Sequence, residues 1–165
     1  MRYGTRTALK RRWTPQGHRP QCPVKIGYDF GYLYCAICPL TGDLFCLMLP
    51  DMKKECFQVF IDEFEKHLNA TEETLLIVDG AGCHQAETIK ADSSLSLEKL
   101  PAASPELNPA ERFFQELRRG LANQVFETLG EIEEKIKQLL ERYWREPNLI
   151  VRLTSFPYIN TSLSI

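Results

Sequence analysis

A chain of 165 residues with 44% hydrophobic and 25% charged residues reads as one soluble globular domain with room for a real core. No apolar run approaches the roughly 20 residues of a membrane span, and the first 25 residues carry no signal-peptide core, so the expected location is the cytoplasm. The net charge of −2 conceals an asymmetry: residues 1–25 carry seven cations and no acid, leaving 13 cations against 22 acids over the other 140 residues. A basic arm on an acidic body suits a phosphate-backbone partner, although a solvated ribbon that is merely basic fits as well.

The arm holds Arg2, Arg6, Lys10, Arg11, Arg12, Arg19 and Lys25. Pro15 and Gly17 mark a tight reversal, which predicts a partly extended hairpin with Trp13 as its apolar anchor. From Lys25 the chain alternates, with Ile26, Tyr28 and Phe30 opposite Gly27, Asp29 and Gly31, and then becomes the buried run Leu33–Cys38. The turn Pro39-Leu40-Thr41-Gly42 leads into a returning strand at 43–49, an antiparallel hairpin. Asp29, in mid-strand between glycines, is a weak catalytic candidate.

Phe57, Phe60, Ile61, Phe64 and Leu68 share one helical face, which predicts an amphipathic helix over 53–68. Thr74–Asp79 reads as a strand buried on both faces, 84–91 as a short helix, and 95–100 as a short alternating strand. Pro101 and Pro105 force a loop before a helix that opens at Asn108, with Phe114, Leu117 and Leu121 inward. A last helix starts near Thr128, carries Ile132, Ile136, Leu139, Leu140 and Tyr143 as its stripe, and is closed by Trp144. Beyond Pro147 the pattern is aperiodic and predicts a poorly ordered tail. Strands first, then β-α-β-α-α, gives an α/β fold with one mixed sheet and helices on its faces.

Six cysteines, at 22, 35, 38, 46, 56 and 83, include Cys35-Ala36-Ile37-Cys38. That pair lies in an apolar run without a second such motif, so buried free thiols are the better reading than zinc or a disulfide.

Two acids stand out. Asp79 ends a buried apolar strand, where a carboxylate needs hydrogen bonds or a cation, and Gly80-Ala81-Gly82 turns the chain directly after it. Glu111 is the third residue of the helix begun by Asn108 and Pro109. A capping role and a ligand role for it are evenly matched on spacing. If the two acids converge, their mutual repulsion calls for a cation, and hard oxygen donors select Mg²⁺ or Mn²⁺, the ions of assisted phosphoryl transfer. His84 touches a phosphate or orients a ligand in one reading and caps a helix in the other; a local supporting role is favoured. Cys83 has no partner for nucleophilic catalysis nearby.

The stretches IVDGAGCH and LPAASPELNPAERFFQELRR resemble the second half of a DDE transposase, of the bacterial insertion-sequence branch of the mariner superfamily. RYGTRTALKRRWTPQGHRP resembles the basic segment after the first catalytic aspartate there, and the likeness runs from about residue 2 to 145. The resemblance implies an RNase H-like fold and Mg²⁺- or Mn²⁺-dependent cutting and joining of DNA ends. By position, Asp79 matches the second catalytic acid and metal ligand and Glu111 the third, 32 residues on. Glu106 matches a residue that is not a ligand. Gly80 stands where the family usually has Asn, and Ala103 where it often has an aromatic residue.

The likeness further implies that the family's first strand and first acid precede Met1, so the expectation is a partial catalytic domain over 25–146. A 1–25 basic arm precedes it and a 147–165 tail follows. Such a piece, from a downstream reading frame or a decayed copy, would bind DNA weakly and be nearly inert alone. Arg2, Lys10, Arg11, Arg12 and Arg19 would meet phosphates of transposon-end and target DNA. Trp13 would brace the arm against DNA or a second protomer, and Asn108 and His84 would support the acids. The expected partners are double-stranded DNA and a second copy or an upstream-frame product, close to the bacterial nucleoid and away from membranes. Two further readings stay open: a non-catalytic DNA-binding or regulatory fragment that pairs with full-length transposase, and an RNase H-like nuclease with another substrate.

Overall fold

A computed structural model describes residues 1–68, 73–80, 89–101, 104–156 and 159. Strands β1 (Arg2–Gly4), β2 (Phe30–Ile37) and β3 (Leu44–Leu49) form an antiparallel sheet in the order β1-β2-β3. Helix α1 (Lys54–His67) follows, then β4 (Thr74–Val78) and β5 (Leu95–Lys99), which pair in parallel as a second, two-stranded sheet. A 3₁₀ turn at Pro105–Leu107 leads into α2 (Pro109–Leu121), α3 (Leu129–Arg145) and α4 (Asn148–Thr154).

β2 is the strand on which the layers are built, because its alternate side chains enter two different cores. Leu33, Cys35 and Ile37 join Phe113, Phe114 and Leu117 of α2, Ile132, Ile136, Leu140 and Tyr143 of α3, and Ile150 of α4. Tyr34 and Ala36 face the other way, onto Phe57, Phe60, Ile61 and Phe64 of α1. Val78 and Leu95 of the parallel pair enter that second core, so α1 spans both sheets. The result is a mixed α/β, RNase H-like fold with one helix on one face and three on the other.

Several expectations change. The sheet is divided, not single: among the described residues β4 hydrogen-bonds to β5 alone. β4 is buried on one face only, because α1 covers Leu76 and Val78 while Leu75 and Ile77 remain 57% and 55% exposed. Before β2 the alternation holds but the inward side is the glycine side. Gly27 lies so close to Thr5, and Gly31 to the Tyr3 ring, that an added Cβ would sit 2.0 Å from Thr5 Oγ1 or 2.5 Å from Tyr3 Cζ. Ile26 and Tyr28 consequently face solvent.

Trp13 is fully exposed and packs on none of the described residues. The segment after Pro147 is no loose tail through residue 156: α4 packs on α2 and α3, with Ile150 and Thr154 fully buried. Seven helical residues are too few to display a period, which hid this helix from pattern reading. Phe113, absent from the expected inner face of α2, is its most buried residue and meets Tyr143 edge-on at 5.0 Å. The predicted helix at 84–91 falls mostly outside the described residues, and residues 89–91 are not helical.

Candidate active site

Asp79 follows the last residue of β4 directly. The strand is held to that point by the Val78↔Lys99 pairing and by the Leu100 N–H donating to the Val78 carbonyl at 2.8 Å. Glu111 sits in the first turn of α2. Asn108 caps that helix, its Oδ1 accepting the Ala110 N–H at 3.0 Å, while its backbone carbonyl accepts the Glu111 N–H at 3.1 Å. Pro109 occupies the first helical position, where a missing N–H costs nothing. The Glu111 carboxylate does not close a capping box. It reaches instead to Arg118, two turns along the helix, with Oε2 3.5 Å from Nη1.

Both acids lie within electrostatic reach of the Met1 amine. The Met1 amine donates to the Leu33 carbonyl, and the Leu33 N–H returns a bond to the Met1 carbonyl, which extends the β1–β2 ladder by one residue. Burial lowers the pKa of that amine; Cys35 raises it, Arg118 lowers it, and Glu111 and Asp79 both raise it. Glu106 is exposed in the 3₁₀ turn.

The carboxylates of Asp79 and Glu111 are hard oxygen donors, and Arg118 lies beside Glu111. Mg²⁺ commonly binds through one or two carboxylates, water and substrate phosphates, so the donor set fits such an ion. Among the described residues no group of three or more metal-type ligands gathers. His84 and Cys83 lie outside the described residues, as does Ala103.

The basic arm runs as two limbs without strand structure between β1 and β2. Its tip is a turn in which the His18 N–H donates to the Pro15 carbonyl at 3.1 Å, with Gly17 at φ +82°. At its base Thr5 N–H meets the Asp29 carbonyl and Thr7 N–H the Lys25 carbonyl. Lys10, Arg11, Arg12, Trp13 and Arg19 are all exposed. Arg2 lies in β1 next to Met1, its guanidinium 3.6 Å from the centroid of the Phe30 ring.

Residues 1–133 match the family model of the DDE superfamily endonucleases. The chain belongs to that family. A curated relative, the uncharacterized protein y4pE/y4sA of Sinorhizobium fredii (strain NBRC 101917 / NGR234), is 33% identical over 104 residues, 62% of this chain and 77% of its own length. Among solved structures, the Mos1 strand transfer complex superposes with a TM-score of 0.64 at 17% identity, over 94% of this chain and 48% of that one. The Mos1 mariner paired-end complex with Mn gives 0.64 over 94% and 52%, and the paired-end complex with the left transposon end 0.59 over 92% and 50%. The chain thus spans about half the length of the solved transposases it resembles, and the likeness shows a DDE transposase fold.

Two residues with a part in these arrangements escape pattern reading. Arg118, seven positions after Glu111, falls on the same helix face, a spacing that could have flagged it. Asn123, at φ +58° just past the end of α2, binds the arm. Its signal is an asparagine at a helix C-terminus, where a left-handed residue is common.

Proposed function

We propose that this chain is part of a DDE transposase catalytic domain, acting on transposon-end and target DNA by divalent-metal-assisted phosphoryl transfer. The observation that carries the reading is the match of residues 1–133 to the DDE endonuclease family, and it is supported by Asp79 standing directly after β4 and Glu111 in the capped first turn of α2. Asp79 and Glu111 would hold Mg²⁺ or Mn²⁺. The bound ion supplies activation of a water or 3′-hydroxyl and stabilisation of the leaving oxygen. Asn108 fixes the first turn of α2 and so aims Glu111. Arg118 neutralises Glu111 in the absence of a cation. Lys10, Arg11, Arg12 and Arg19 would meet backbone phosphates with little regard for base sequence, and the exposed Trp13 would pack on DNA or on a second protomer.

Among the described residues no group of three or more metal-type ligands gathers, and on this reading the third acid of a DDE site would come from an upstream-frame product. The same observation favours the second reading, a DNA-binding fragment that pairs with full-length transposase and does not cut. On either reading the protein works at DNA in the bacterial cytoplasm, as a homodimer or with an upstream-frame product. The solved neighbour carrying Mn supports the choice of ion.

Cleavage of labelled transposon-end duplex in Mn²⁺ tests the first reading against the second. The chain alone is expected to bind DNA weakly and cut little or none; joined to the polypeptide encoded upstream, it is expected to cut, and Asp79→Asn to abolish cutting. Robust cutting by the chain alone would overturn the missing third ligand. No cutting by the joined protein would favour the regulatory reading.

A further inference from the structure

Between Ala8 and Lys25 the basic arm has no strand to hold it, yet its two limbs meet at one side chain. Asn123 stands in the α2–α3 connection, outside the site described above. Its backbone N–H donates to the Ala8 carbonyl at 2.8 Å. Its Oδ1 accepts the Lys10 N–H at 3.0 Å and its Nδ2 donates to the Lys10 carbonyl at 3.1 Å, so the amide mimics a strand partner for Lys10. Its own carbonyl accepts from Arg12 Nη2 at 3.4 Å. From the returning limb the Cys22 thiol lies 3.7 Å from that carbonyl and 3.9 Å from Oδ1. Four residues downstream, Glu127 takes Lys25 Nζ at 2.6 Å, pinning the point where the arm re-enters the body.

A left-handed backbone is what makes this possible. At φ +58° the Asn123 N–H, C=O and side-chain amide all meet the arm. Asparagine tolerates that region and has both an amide donor and an acceptor, which alanine lacks.

We propose that Asn123 is the positioning residue of the DNA-binding arm: it holds Lys10, Arg11 and Arg12 in one arrangement before DNA arrives. This rests on the arm being the phosphate-contacting surface. Its physical content is preorganisation, since an arm already ordered loses less freedom on binding. Replacing the Asn123 side chain leaves the number of arm cations unchanged, so it governs affinity and not the count of phosphates neutralised.

Asn123→Gly is the discriminating variant, because glycine accepts the positive φ and removes only the side-chain bonds. Three quantities are read on the full chain: hydrogen exchange of the Lys10 amide, affinity for a fluorescein-labelled duplex as a function of salt, and the thermal midpoint. The expected result is Lys10 exchange faster by about tenfold. With it goes DNA affinity lower by about tenfold at an unchanged salt slope, with an unchanged thermal midpoint. A purely structural role would move the midpoint and leave affinity alone. Unchanged exchange, or faster exchange with unchanged affinity, would overturn the proposal. The triple variant Lys10→Ala, Arg11→Ala, Arg12→Ala tests the underlying reading separately: it should flatten the slope by about 0.9 per lost phosphate contact. If it binds as the wild type does, the arm is not the DNA surface, while the exchange data still decide whether Asn123 holds it.

Discussion

Arg118→Met separates the charge of the candidate site from its architecture. Arg118 Nη1 lies 3.5 Å from Glu111 Oε2, with 42% and 34% of the two side chains exposed, and the same guanidinium acts on the Met1 amine together with both acids. A pair this exposed contributes only about 0.2–1 kcal/mol to folding. Methionine keeps an unbranched stem near Phe114, so unfolding in urea should shift by less than about 1 kcal/mol. For a divalent ion the sum differs. Unit charges 4 Å apart interact by about 1 kcal/mol in water and about 4 kcal/mol at the effective dielectric near a protein surface. The double charge of the ion raises this, while larger separation and salt lower it. Removing the arginine should therefore relieve about 1–2 kcal/mol of repulsion, or roughly 5–30-fold in affinity. Calorimetric titration of Mn²⁺ into the wild type and Arg118→Met, alongside urea unfolding, measures both. Unchanged or weaker Mn²⁺ binding by a normally folded variant would refute the claim that Arg118 opposes a cation held by Glu111.

Gly31→Ala drives a Cβ to within 2.5 Å of Tyr3 Cζ and Oη, and should lower stability by about 2–4 kcal/mol in urea unfolding through overpacking and loss of the Tyr3–Glu133 hydrogen bond; a loss below about 1 kcal/mol would show that the ring moves freely. Asn108→Ala removes the acceptor of the Ala110 N–H, and should cost about 1 kcal/mol by thermal unfolding while weakening Mn²⁺ binding through a frayed first turn. Burial raises the Tyr3 pKa above the ordinary value near 10, helped by its hydrogen bond to Glu133, and burial likewise raises that of Tyr143. A raised folded pKa means that stability is full below the unfolded pKa and falls as pH rises through and beyond it. Above about pH 10 the protein should lose stability, and phenolate absorbance from these two residues should appear only with unfolding; their titration in the native state would contradict this.

Some of these features were legible in the sequence and others were not, for definable reasons. The five apolar residues of α1 announce their helix because one face meets a single core. Asn108-Pro109 and Thr128 mark helix starts through chemistry local to the backbone, and the structure places caps at both: Thr128 Oγ1 accepts the Glu131 N–H. Asp79 was legible as an acid after an apolar strand, and Glu111 was half legible, since capping and ligation share the same spacing. Burial on the two faces of β4 was misread, because an apolar run does not say whether both faces have a covering layer. Gly27 and Gly31 alternate with Ile26, Tyr28 and Phe30 in the sequence, yet nothing in that pattern shows that Thr5 and the Tyr3 ring fill the space their missing side chains leave. Trp13 reads as an anchor by residue type, whereas the arm is held by Asn123, more than a hundred positions away. Contacts at that distance leave no trace in local pattern.

Convergence of Asp79 and Glu111 into a divalent-ion site is the central claim, and calorimetric titration of Mn²⁺ into the wild-type chain and Asp79→Asn tests it most directly. The account predicts measurable binding by the wild type that disappears in the variant, with both proteins equally folded. Equal binding by the two, or none by the wild type, would contradict it.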